Sequence, residues 1–164
     1  MKSLLNATIA AVVGLMLAVP AGAQSSHLSS KKTLTLAVAK QLATVAEQEA
    51  AKMNFKVVVA IADEGGNLIY LEKMDGVQIA SVEISTQKAH SAVIYKRPTK
   101  YFHDSLLKGN TSLLKLPGLI MTDGGVPLIV DGKVIGGIGV SGGAPPKDDE
   151  IAQATANSLA KIAQ

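Results

Sequence analysis

The chain has no cysteine, no tryptophan and few rings of any kind: three tyrosines and two phenylalanines in 164 residues. Without cysteine there can be no disulfide framework, no thiolate metal site and no lipid-bearing cysteine, so stability must come from packing or association. Charge of one sign is also scarce. The formal net charge is +3, and the basic residues are scattered along the chain. Nucleic-acid binding needs a concentrated basic face, and single strands also need rings to stack on. Both are missing, so no nucleic-acid partner is expected.

After the first two dozen residues no apolar run approaches membrane-spanning length. Within them, Lys2 precedes "LLNATIAAVVGLMLAVP" and the small residues of "AGA". A positive start, a short apolar centre and small residues at Ala21 and Ala23 form the pattern of a secretory signal cut after Ala23. Asn6 and Thr8 interrupt the run, which falls short of the roughly 20 residues a span requires. The expectation is a periplasmic or secreted protein with residues 1–23 removed and no membrane span afterwards. A polar, flexible lead over 24–33 then precedes a single domain over 34–164.

What is present is patterned for a mixed fold. From Thr35, the positions Ala39, Leu42, Ala43, Ala46, Ala50 and Met53 recur at helical spacing. "KVVVAIADEGGNLIYLEK" reads as strand, turn and strand, with the bend at Glu64-Gly65-Gly66-Asn67. A second helical pattern runs from Gln78 to Tyr95, with Ile79, Val82, Thr86, Ala89 and Val93 on one face. Pro98 ends it, and a shorter helix is expected over Thr99–Leu107. Three strands, "LIMT", "VPLIV" and "KVIGGIGV", follow, the last two joined by the hairpin signal Asp131-Gly132. A final helix opens with proline and the acids Asp148, Asp149 and Glu150. Hairpins separated by helices predict an α+β domain, an antiparallel sheet of about five strands covered by helices.

Gly137-Ile138-Gly139-Val140-Ser141-Gly142 fits G-x-G-x-x-G, the dinucleotide-binding fingerprint. That fold needs a helix, a second parallel strand and a distant acid after the glycines. Only one helix follows here, and its acidic first turn would repel a pyrophosphate. The glycines instead mark a strand stripped of side chains so that something can approach it.

Four blocks in order, "VVVAIADEGGNLIYLEKMDG", "STQKAHSA", "GGVPLIVDGKVIGGIGVSGG" and "DDE", resemble the GlcG/HbpS family of small haem-binding proteins. The domain at the end of PduO belongs to the same group. The resemblance spans about Leu34 to Gln164. It implies a profilin-like fold, assembly into homo-oligomers and, for some members, haem as the bound cofactor.

Candidate haem-iron ligands are His90 and His103, since neutral imidazole is a common axial donor. At about 100° per residue, His90 falls about 20° from Ile79, at the rim of the apolar face. His103 stands beside Tyr101 and Phe102, whose rings could flank a porphyrin. Tyr70, Tyr95 and Met121 are further conceivable donors, and His27 lies in the polar lead. Lys88 shares a small-residue face with Ser81, Ser85 and Ala92. It is either a solvated lysine or a partner for a carboxylate such as a haem propionate. Gly124, Gly125 and Pro127 either line a ligand site with backbone or start a strand. An alternative function, a small enzyme or accessory protein binding an anionic small molecule, would use Lys88, the Gly125 loop and Glu150 as its acid/base. His103-Asp104-Ser105 contains the letters of a hydrolase triad, but helical neighbours diverge too far to form a relay.

Overall fold

The computed structural model describes residues 29–163. The expected signal over 1–23 and His27 lie outside the described residues. The helix α1, Leu36–Lys52, is opened by Thr35, whose hydroxyl accepts the Val38 N–H at 3.3 Å. It buries Ala39, Leu42, Ala43, Ala46 and Ala50, as its periodicity predicts. The strands β1, Val58–Asp63, and β2, Leu68–Lys73, form the expected hairpin. Asp63 makes its bend, accepting the N–H groups of Gly65 and Asn67 at 2.8 and 2.9 Å. Then come α2, Ala80–Ile94, and α3, Thr99–Leu107. A 3-10 turn over Thr111–Lys115 precedes β3, Gly125–Val130, and β4, Lys133–Ser141. Helix α4, Pro145–Ile162, ends the order.

The strands form one antiparallel sheet in the order β2-β1-β4-β3. Central β1 is buried on both faces, which explains its unbroken apolar run. Pro127, which has no N–H to donate, sits in edge strand β3. Asp131 and Gly132 have φ of 50° and 72°, the left-handed pair of a tight hairpin turn. Helices α1 and α4 cover the face carrying Val59, Ile61, Leu128, Ile138 and Val140. Helix α2 covers the other, where Ala60 and Ala62 meet Ala89 and Val93.

Two expectations fail. The sheet has four strands rather than about five, because "LIMT" is claimed by α2 instead. The Ser91 hydroxyl donates to the Gly118 carbonyl and accepts the Ile120 N–H, both at 2.9 Å, which pins this segment to the helix. The other failure is the buried face of α2. Ile79 is 85% exposed, while Ser81, Ser85, Lys88, Ala89 and Ala92 are buried. The small residues win because β4 offers them glycine. A Cβ at Gly139 would fall on the Ser85 carbonyl oxygen, and one at Gly137 would come within 2.8 Å of the Ala89 carbonyl. What approaches the stripped strand is therefore α2, and the glycine fingerprint is a helix-packing device.

Candidate functional site

Lys88 is 1% exposed, so the solvated reading of this residue is wrong. Its ammonium donates to the Val140 carbonyl at 2.7 Å and to Asp148 Oδ2 at 2.9 Å. The other Asp148 oxygen accepts the Gly143 N–H at 2.8 Å. Burial pushes the Lys88 pKa down and that of Asp148 up, and each charge opposes the shift of the other. With its donors turned inward, Lys88 ties α2, β4 and α4 together and does not present its charge to an outside carboxylate. That is the correction to its expected binding role.

Gly124, Gly125 and Pro127 are buried around this pair. A Cβ on Gly125 would strike the Lys88 carbonyl oxygen, and one on Gly124 would reach 3.0 Å from the Lys88 ammonium. Their backbone adjoins protein groups, where a ligand-lining loop had been the other possibility. Glu150 is exposed and paired with Lys147 at 2.7 Å. The structure therefore brings Lys88 and the Gly125 loop together but turns Glu150 outward, and the expected anion site is not assembled from these three.

His90 lies on α2 beside a cleft of 290 Å³ lined by Gly66, Thr86, Gln87, His90, Gly118 and Leu119. Its Nδ1 is 2.9 Å from the Gly66 carbonyl. A carbonyl only accepts, so Nδ1 carries the proton and Nε2 the lone pair in the neutral ring. Gly66 and Gly118 both have positive φ. A Cβ on them would sit 2.7 Å from Nδ1 and 3.2 Å from Nε2, so the ring is slotted between two turns.

His103 is anchored differently. On α3, its Nδ1 donates to Asp123 Oδ1 at 2.6 Å. The His103 side chain is 29% exposed, while that of Asp123 is 2% exposed. Lys100 Nζ stands 3.7 Å from the other Asp123 oxygen and bonds Asp104 at 3.0 Å. Thr99 Oγ1 accepts the Gly125 N–H at 2.9 Å, fastening the first turn of α3 to β3. Buried Phe102 meets Tyr95 and Tyr101 edge-on, with centroids 5.4 and 5.2 Å apart. The rings therefore brace α3 among themselves. Nearby Asp149 has its pKa raised by burial first and then by the Asp123 charge, and its buried Oδ1 has no partner among the described residues.

Two imidazoles thus offer a nitrogen with the opposite nitrogen already tied. Among the described residues, no three His, Asp or Glu side chains are grouped to cage a bare metal ion. Haem makes a smaller demand, since the macrocycle supplies the equatorial nitrogens and needs only an axial side chain. The donor set therefore fits haem better than a free ion. Tyr70 and Tyr95 spend their hydroxyls on Glu72 and the Pro117 carbonyl. Sequence reading missed Asp123 and the role of Asp148, which lie 20 and 60 residues from their partners. Only the acid before the glycine pair of "DGG" hinted at the first.

The family model for the haem degrading protein HbpS-like group matches residues 34–157. Protein GlcG of Escherichia coli K12 is 37% identical over 114 residues, covering 70% of this chain and 85% of that protein. The crystal structure of a PduOC:heme complex superposes with a TM-score of 0.71 at 30% identity, covering 77% of this chain and 95% of that one. A double mutant of Streptomyces reticuli HbpS gives 0.74 at 31% identity, covering 87% and 97%. With a family model matched over residues 34–157 and a relative 37% identical over 85% of its own length, the chain belongs to the HbpS-like family.

Proposed function

We propose that this chain is an exported protein that binds haem or a closely related tetrapyrrole, for its storage, protection, delivery or sensing. The observation that carries the reading is a family relative of the same fold that was solved with haem. The donor chemistry supports it: His103 keeps one ring nitrogen free while Asp123 fixes the other. The 290 Å³ cleft at His90 lies just below the roughly 300–1,000 Å³ of drug-sized ligand pockets. A porphyrin does not fit a cleft of that size, so it would bind across an outer face or between copies. Assembly as a homo-oligomer is proposed with it, on the family resemblance.

The experiment is calorimetric titration of haemin into the protein lacking residues 1–23. Saturable heat with a defined stoichiometry is expected; heat no different from haemin dilution would contradict the reading. Mass spectrometry of material from periplasm and medium tests export, with Gln24 expected at the amino terminus. Light scattering of the same material tests association, with a mass above that of one chain expected. Among the described residues no helix is long and apolar enough to cross a membrane.

A further inference from the structure

We propose that His103 supplies the axial nitrogen for haem iron and that Asp123 is its positioning residue, holding the neutral ring in the tautomer that leaves the lone pair on Nε2. This inference rests on the haem-binding reading and assigns the residues that carry it.

An iron must come within about 2 Å of the ligating nitrogen, with the whole macrocycle around it. At His90 the direction in which a side chain would leave Gly118 points at Nε2, with a Cβ position only 3.2 Å away. The cleft beside the ring measures 290 Å³, below the roughly 300–1,000 Å³ of drug-sized ligand pockets, which leaves little room for a macrocycle. His103 is held from one side only and keeps 29% of its side chain exposed. Leu107, one turn further along α3 on the same face, is 73% exposed and adds apolar surface next to the ring.

Tautomer comes next. A carboxylate can only accept, so the 2.6 Å contact to Asp123 puts a proton on Nδ1, and in the neutral ring the lone pair is then on Nε2. The bond is charge-assisted and its acceptor is buried, so it also fixes the ring plane. Histidines that ligate metals commonly donate their second N–H to such a group, which raises the basicity of the ligating nitrogen. The support behind the pair is rigid: Thr99 is bonded to Gly125 at 2.9 Å, and Phe102 is buried in the adjacent position.

The test is haemin binding followed by absorbance, with wild type, His103→Ala, Asp123→Asn and His90→Gln compared. Wild type is expected to show an imidazole-ligated spectrum. His103→Ala should lose it and regain it when free imidazole is added. Asp123→Asn should bind haemin about 10- to 100-fold more weakly, and its bound haem should have a more positive reduction potential, because the anionic partner of the ligand is gone. His90→Gln should keep the wild-type spectrum. Nitrogen-15 NMR of the haem-free protein gives a readout independent of loading, with His103 expected in the Nδ1–H form. If wild type binds haemin but His103→Ala keeps its imidazole-ligated spectrum, or His90→Gln loses it, the assignment is overturned while haem binding stands. An Nε2–H tautomer for His103 likewise overturns it. Failure of wild type to bind haemin overturns both.

Discussion

Replacing Lys88 by methionine tests whether this lysine is a fold element or a ligand contact. The substitution keeps the length of the stem and removes the ammonium, which bonds Val140 and Asp148 at 2.7 and 2.9 Å. Two groups then lose their donor: a buried carbonyl, at about 1–3 kcal/mol, and a carboxylate whose side chain is 3% exposed. The carboxylate keeps the Gly143 N–H at 2.8 Å, which limits the damage. Breaking one half of a buried pair costs about 3–5 kcal/mol, a large fraction of the 5–15 kcal/mol typical of a domain. Urea unfolding followed by circular dichroism should show a lower midpoint at unchanged slope. The melting temperature should fall by roughly 10–25 °C. Adding Asp148→Asn removes the stranded charge yet keeps an acceptor for Gly143, so the double variant should lose about 1–3 kcal/mol less than the sum of the singles. A Lys88→Met protein within about 0.5 kcal/mol of wild type but weakened in haemin binding would refute this reasoning and return Lys88 to the surface.

Gly139→Ala should cost at least about 3 kcal/mol, since its Cβ would fall on main-chain atoms of α2 rather than a movable side chain; thermal melting checks this. Asp149 carries a carboxyl raised above its ordinary value by burial and by Asp123. Its contribution to stability is therefore fully present below its unfolded pKa and lost as pH rises through the folded one. Asp149→Asn should accordingly be as stable as wild type or more so at neutral pH, and the difference should shrink towards the unfolded value near 3.8, as read from urea midpoints across that range. His90→Ala removes the bond to Gly66 and should destabilise by about 1–3 kcal/mol, with faster amide exchange at the Gly65-Gly66 turn.

Helix α3 and both hairpins were legible because their signals are local: Pro98 before Thr99, Asp63 ahead of the Gly65-Gly66 bend, and Asp131-Gly132 at the last turn. The orientation of α2 was not. Ile79, at the start of the predicted apolar face, points away from the sheet while Ala89 and Val93 pack on it, since close approach to Gly137 and Gly139 favours the serine and alanine side, and that preference belongs to a strand some fifty residues later. Lys88 looked free for the same reason, its partner Asp148 lying 60 residues away. His103 was visible as a candidate, whereas the Asp123 that holds it emerged only when α3 folded back against the start of β3.

The central claim is most directly tested by an absorbance titration of haemin into the signal-free protein. A Soret band is expected that grows, shifts from that of free haemin and saturates at a fixed ratio of haemin to protein. A spectrum that remains the sum of free haemin and protein throughout the titration would contradict it.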